Sequence, residues 1–204
     1  MGKMIYLMGK SSSGKDTIYK HLLDWDAGKL KKIVLYTTRP IRKGEIEGEE
    51  YYFTDEAGYR EMEARGQIIE ARAYHTYHGQ WHYFTVDDGK IDLEHNNYLV
   101  IGTIESYLKT AEYFGKEKVI PILLELNDGV RLKRALEREM RQENPRYHEM
   151  CRRFLADEED FSEDKIKHAG IEKKFANEHL SKCLKEIKLY IQAKIKEGVY
   201  DLVW

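Results

Sequence analysis

The sequence predicts a three-layer α/β fold with a parallel core sheet, and three observations point to it. Apolar runs suited to buried parallel strands recur at Met4 to Met8, Ile33 to Thr37, Tyr98 to Ile101 and Val119 to Leu126, with helical patterns between them. Gly9 to Asp16 reads G-K-S-S-S-G-K-D between the first such run and the first helical pattern. Two charged stretches, 39–85 and 128–166, interrupt the alternation and read as insertions. The chain of 204 residues then divides into one domain, with a core of 1–38, 86–127 and 167–204.

The loop at Gly9 comes first. A strand delivers it, glycines at its first and sixth positions let backbone N–H groups turn inward around a phosphate chain, and the next helix offers its N-terminus to the anion. Gly9, Lys10, Ser11, Ser12, Ser13 and Gly14 form the cradle, and Lys15 supplies a mobile charge for the terminal phosphates. The pattern expects Ser or Thr after the lysine to hold magnesium. Asp16 stands there, with the hydroxyl of Thr17 beside it, so these two are the metal-ligand candidates. The helix runs from about Lys15 to Trp25, with Ile18, Leu22 and Trp25 on one face.

The strand at Ile33 to Thr37 leads into Thr37-Thr38-Arg39-Pro40-Ile41-Arg42, continuing to Phe53. Ligands of open α/β sheets lie beyond the carboxyl ends of strands. Two guanidiniums three residues apart, stiffened by Pro40, can converge on one anion, and a tyrosine hydroxyl can add a third donor. Within the insertion, a short helix is expected near Asp55 to Arg65, between extended pieces at Tyr51 to Phe53 and Gln67 to Tyr74. A helix spans Ile104 to Phe114 and stops at Gly115. The arginine-rich second insertion forms a helical hairpin broken at Asn144-Pro145, where helical geometry is disfavoured before proline, and suits a mobile lid. A last amphipathic helix near Asn177 to Glu197 carries Leu180, Leu184, Ile187, Ile191 and Ile195 into the core.

The segment from Thr37 to Phe53 resembles the guanylate kinase family. The family's pattern T-T-R-x-x-R-x-G-E-x-x-G-x-x-Y-x-F is met at Thr37, Thr38, Arg39, Arg42, Gly44, Glu45, Gly48, Tyr51 and Phe53. The resemblance extends over nearly the whole chain, strong through Phe53, moderate over the lid and weak between Tyr74 and Ser106. It implies a P-loop nucleoside monophosphate kinase that moves the terminal phosphoryl group of ATP, with Mg2+, onto a nucleoside monophosphate, GMP or dGMP. It further implies that Arg39, Arg42 and Tyr51 hold the acceptor phosphate and that Glu70 meets the base. A carboxylate accepts from both the ring N–H and the exocyclic amine of guanine, whereas adenine presents an acceptor nitrogen to it. His82-Tyr83-Phe84-Thr85 is the nearest string to the family's Y-Y-G-T element, placing Tyr83 near the phosphate and Thr85 near the base. A register through Tyr77-His78-Gly79 is the alternative. Arg134 and Arg138 share a helix face, Arg153 lies across the Pro145 break, and all three are expected at the phosphates with Lys15 and Arg39. Asn177 matches an asparagine near the donor's adenine and would also serve as an N-cap.

Two departures stand out. The family's Asp-x-Asp after the strand at Tyr98 to Ile101 is absent, since the chain reads Gly102-Thr103-Ile104-Glu105 there, and Leu35 replaces a serine near the base. Asp16 can take over one acidic role at the metal. His75, His78 and His82 invite a zinc site, but strand alternation puts His75 on the face opposite the other two, so an aromatic wall of the acceptor pocket is the expectation. A kinase of another phosphorylated small molecule and a peptide-binding module without catalysis are the alternatives.

Composition bounds the rest. A net charge of −2 with 34% charged residues provides no field favouring nucleic acid or an anionic membrane. No apolar stretch is as long as a bilayer span, so a cytoplasmic protein, a monomer or homodimer that handles small nucleotides, is expected. Cys151 and Cys183, without metal spacing, are expected to be reduced structural thiols.

Overall fold

The computed structural model describes residues 1–76 and 79–200. Strand β1, Met4–Gly9, is buried throughout and sends alternate side chains to opposite sides. Met4, Tyr6 and Met8 join one core cluster, while Ile5 and Leu7 join another. A strand flanked by helices on both faces has this continuous apolar pattern. The loop then turns into α1, Lys15–Leu23, whose Ile18 and Leu22 enter the second cluster.

The expected strand at Ile33 to Thr37 is replaced by two shorter strands in different sheets, one ending before Ile33 and one starting at Tyr36. Leu30–Lys32 forms β2, at the edge of the core sheet beside Asn97–Ile101. Tyr36–Thr37 forms β3 of a second sheet, so the insertion's sheet begins before residue 39. Leu35 falls at this crossing, where its carbonyl accepts from the Tyr52 N–H. A continuous apolar run cannot reveal a strand that changes sheets, because both sheets want the same residues.

The second sheet comprises β3, β4 (Tyr52–Phe53), β5 (Ile68–Thr76) and β6 (Gly79–Val86), in the order β4-β3-β6-β5. Helix α2, Glu56–Ala64, covers it, capped by the Asp55 carboxylate accepting from the Gly58 N–H at 2.8 Å. Tyr59, Phe84, Val86, Ile68 and Ala71 pack beneath this helix. The register shifts between Ile68 and Glu70, so one extra residue is inserted into β5. That bulge lets Ile68 and Ala71 share the core face while Glu70 and Arg72 both point to the opposite, cleft side.

Strand β7, Asn97–Ile101, is followed by α3, Ile104–Phe114, with a Thr103–Ser106 capping box. Next come β8, Val119–Glu125, then α4, Asp128–Met140, α5, Tyr147–Asp160, and α6, Glu163–His168. A short strand, β9 (Lys174–Ala176), precedes α7, Leu180–Tyr200. The core sheet is wholly parallel in the order β2-β7-β1-β8-β9. Residues of α3 and α6 pack on one face and those of α1 and α7 on the other, which completes the three layers. The helical hairpin breaks at the expected proline. The last helix starts three residues later than expected, so Asn177 is not its cap.

Gly102, where the acidic pair was lost, abuts Tyr6. A Cβ there would lie 2.4 Å from the Tyr6 hydroxyl and 2.5 Å from Ser106 Oγ. Tyr6 therefore occupies the space that a side chain at 102 would need, and an aspartate cannot be accommodated beside it. Gly102→Ala should destabilise the fold by about 1–3 kcal/mol through overpacking. Combined with Tyr6→Val the loss should be smaller than the sum of the two single variants, as read from urea midpoints.

Candidate active site

The loop from Gly9 to Asp16 closes as the motif requires. Gly14 has φ 93°, a left-handed conformation that favours glycine, and a Cβ on it would lie 2.4 Å from Asn177 Nδ2. That same amide donates to the Ser13 carbonyl at 2.8 Å, so Asn177 braces the loop from the far end of β9. Helix α1 starts at Lys15 with no side-chain cap, which leaves its first N–H groups for a ligand. The hydroxyls of Ser12 and Ser13 are buried without a hydrogen-bond partner. Lys15 folds back on the loop, donating to the carbonyls of Gly9 at 2.5 Å and Lys10 at 2.9 Å. Burial lowers its pKa, offset by the charges of Asp157 and Asp16. A buried ammonium resting on carbonyls is poised for an anion. Asp16 and Thr17 are both exposed at the helix start.

Helices α4 and α5 lie on this loop, through an arginine the sequence reading did not single out. Arg131 of α4 is 1% exposed. Its Nε donates to the Ser11 carbonyl at 3.0 Å, and its terminal nitrogens pair with Asp128, with Asp157 at 2.9 Å and with Glu158 at 3.2 Å. Asp157 of α5 also accepts from the Ser11 N–H at 2.7 Å, and Glu158 pairs with Lys10 at 2.6 Å. A carboxylate thus takes one of the loop's anion-binding donors. Arg134 comes close to the loop as well, its guanidinium 4.0 Å from where a Cβ on Gly14 would stand. Arg138 is exposed, and Arg153 is exposed and paired with Glu149 at 2.8 Å. Arg152 is likewise exposed and paired with Glu149, at 2.7 Å. Arginines are frequent in both lid helices, and sequence spacing alone does not separate Arg131 from its neighbours. A cleft of about 450 Å³ adjoins the loop, lined by Ser13, Asn127, Arg131, Ala176 and Glu178 among others.

On the other side, Arg39 is 2% exposed at the end of β3. Its guanidinium is gripped bidentately by Glu45 at 2.9 Å, its Nε donates to the Tyr83 hydroxyl at 3.2 Å, and it lies over the rings of Tyr51 and Phe53. Arg39 and Glu45 act on each other: the guanidinium holds the Glu45 carboxyl below its ordinary range. Arg42 is exposed, and the contact it makes here is its backbone N–H donating to Glu45 at 2.7 Å. Tyr51, Tyr74 and Tyr83 pack edge to face as an aromatic wall. His82 is turned away, stacked on Tyr59 beneath α2 and 3.5 Å from Glu56. Tyr77 and His78 lie outside the described residues.

The register of β5 on β6 sets Glu70 opposite Thr85 and Arg72 opposite Tyr83. Glu70 is 2% exposed, and its Oε1 accepts from the Thr85 hydroxyl at 2.8 Å. Arg72 and Tyr6, both missed in the sequence reading, stand beside it. Arg72 Nε is 3.3 Å from Glu70 Oε2, and Tyr6 is close enough to feel both charges. Burial pushes the Tyr6 phenol up to about 12, so it stays neutral, within hydrogen-bonding reach of Ser106 and Thr110. Among the described residues no three His, Cys, Asp or Glu side chains come together as a metal site. Both cysteines are free, Cys183 buried and Cys151 exposed. No described helix is long and apolar enough to cross a membrane.

The depressed pKa of Glu45 means that its ion pair stabilises the fold fully above the ordinary value of 4.5, and less as pH falls through the lower folded value. Glu45→Gln should therefore be less stable than the parent at pH 7, and the gap should close on acidification below about pH 4, as measured by thermal unfolding.

Comparison with known proteins locates this arrangement. The guanylate kinase family model matches residues 1–85. The guanylate kinase of Ruegeria pomeroyi is 39% identical over 79 residues, covering 38% of this chain and 37% of that protein. That of Nostoc sp. is 40% identical over 73 residues, 36% of each chain. The chain thus spans about 37% of the length of the curated relatives it matches. The family-model match ends at residue 85, whereas the resemblance was expected to continue over 128–166. The fold carries further. A crystal structure of guanylate kinase from Anaplasma phagocytophilum superposes with a TM-score of 0.61 at 23% identity, over 95% of this chain and 86% of that one. A gluconokinase from Sinorhizobium meliloti superposes with a TM-score of 0.53 at 14% identity, over 98% and 97%. Residues 1–85 match the guanylate kinase family model, and the chain adopts a parallel α/β fold that a solved guanylate kinase shares.

Proposed function

We propose that the protein transfers the terminal phosphoryl group of ATP to a nucleoside monophosphate, with GMP or dGMP as acceptor, giving the diphosphate and ADP. The observation that carries this reading is that one strand serves two pockets. Gly9 at the end of β1 opens the phosphate loop, and Tyr6 three residues earlier touches the pocket of Glu70 and Arg72. At a rise of ~3.3 Å per residue the two are roughly 10 Å apart along the strand, a span that fits a donor phosphate chain meeting an acceptor.

In this reading the triphosphate replaces Asp157 at the Ser11 N–H and accepts from the free N–H groups at the start of α1, with Lys15 turning from its carbonyls to the phosphates. Arg131 and Arg134 are the lid cations nearest the loop, and Arg138 and Arg153 approach only if the lid closes further. They neutralise charge spread over the equatorial oxygens of a loose transition state. Asn177 holds the loop next to the donor's base. Arg39, Arg42, Tyr51 and Tyr83 hold the acceptor phosphate, and Glu70 and Thr85 face the base. Mg2+ fits the loop's donors: Asp16 and Thr17 offer exposed hard oxygens, and magnesium takes one or two protein groups besides phosphates and water. Bound there, it would neutralise phosphate charge. No general base is required, because the attacking phosphate oxygen is already anionic. Closing the lid keeps water from competing with the acceptor.

Coupled ADP release across GMP, dGMP, AMP, CMP and UMP should favour the first two, and equal rates for all five would count against guanine. Lys15→Ala should lower turnover by about two to three orders of magnitude, the scale of one lost electrostatic contact in a transition state. Its melting curve should be unchanged, because Lys15 bonds only to carbonyls of its own loop.

A further inference from the structure

The cleft face of β5 carries more than the expected carboxylate. Glu70 and Arg72 project together from it, facing Thr85 and Tyr83 of β6. Each polar group there can be followed to its partner. Glu70 Oε1 is engaged by the Thr85 hydroxyl. Tyr6 is within hydrogen-bonding reach of Ser106 and Thr110. Arg72 Nη2 donates to Glu70 Oε1 at 3.5 Å, while Glu70 Oε2 and Arg72 Nε form an ion pair at 3.3 Å and are both buried without a hydrogen-bond partner. Burying these two atoms without hydrogen bonds is costly, so the pair is stabilised by a ligand that supplies them. What completes it is a ligand edge bearing one acceptor next to one donor.

Resting on the kinase reading above, we propose that Arg72 and Glu70 together read the acceptor as a 6-oxopurine, Arg72 donating to the C6 oxygen and Glu70 accepting from N1–H, so that guanine's 2-amino group is dispensable. Charge makes the assignment: the Arg72 guanidinium only donates and the ionised Glu70 carboxylate only accepts, so a 6-oxopurine sets its C6 oxygen on Arg72 and its N1–H on Glu70. Adenine presents donor and acceptor in the reverse order. The positions expected to supply a further polar contact to the base are Gly102, which has no side chain and no room for one, and Leu35, which is apolar. The 2-amino group therefore finds no acceptor of its own beyond Glu70.

The test is kcat/KM for GMP, inosine monophosphate and 2-aminopurine riboside monophosphate, which keeps the amine and lacks the C6 oxygen and the N1 proton. Inosine monophosphate should fall within about tenfold of GMP, since a site with no dedicated partner for a group discriminates weakly. The 2-aminopurine nucleotide should lose about a thousandfold or more, because it leaves both buried groups unpaired. Arg72→Met keeps the stem and removes the donor. It should raise KM for GMP and inosine monophosphate by the same factor, about 10- to 100-fold, the size of one hydrogen bond to a charged group. A gap of more than tenfold between GMP and inosine monophosphate in the parent enzyme overturns the proposal even if the variant fails to fold. An unchanged KM in a folded variant does so too. If no nucleoside monophosphate is turned over at all, the kinase reading itself fails and this one falls with it.

Discussion

A single buried guanidinium joins α4 and α5 to the Gly9 loop. Arg131 is almost wholly out of water, and a cation so placed is tolerated only when its charge and its N–H groups are met. Asp128, Asp157, Glu158 and the Ser11 carbonyl meet them, drawing α4 and α5 onto the loop. With the ion pair between Lys10 and Glu158, the arrangement places a set of carboxylates where an anionic ligand would sit. The loop's own features ask for an anion: a positive-φ glycine at its turn, uncapped N–H groups and a lysine folded back on carbonyls. In the proposed cycle the phosphates take over from these carboxylates, and Arg131 changes partners without leaving the loop.

The acceptor side shows a comparable economy of geometry. One bulge in β5 decides that Ile68 and Ala71 face α2 while Glu70 and Arg72 face the cleft. Without it, the strand's strict alternation would put Ile68 on the same side as Glu70. The loss of acidic residues near Gly102 has a matching cause in β1, because Tyr6 fills that space. Tyr6, a neutral phenol, thereby stands beside one carboxylate, Glu70, and one guanidinium, Arg72.

Much of this was legible in the sequence, and the exceptions share a cause. β1, the loop, α1, α3 and the Pro145 break follow from local patterns: apolar runs, glycine spacing, caps and proline. The switch between sheets, from β2 ending at Lys32 to β3 starting at Tyr36, was hidden because the apolar run across it suits either sheet. β9 was missed because only Phe175 of its three residues is deeply buried, leaving no run to notice. Arg131, Arg72 and Tyr6 were not singled out, since their roles come from contacts with residues distant in the chain. Arg39, Tyr51, Glu70 and Tyr83 were singled out through the family pattern; the structure joins Arg39, Tyr51 and Tyr83 in contact and sets Arg72, next to Glu70 on β5, opposite Tyr83. Arg42 and Arg153 it leaves at the surface.

The central claim is that the Gly9 loop is an anion cradle for a triphosphate, held under Arg131. Calorimetric titration of ATP, with and without Mg2+, tests it most directly. The account predicts saturable binding of one equivalent, strengthened by Mg2+ and weakened in Arg131→Met. Absence of binding in the folded parent protein would contradict it and would leave the acceptor cleft to serve as a binding surface without catalysis.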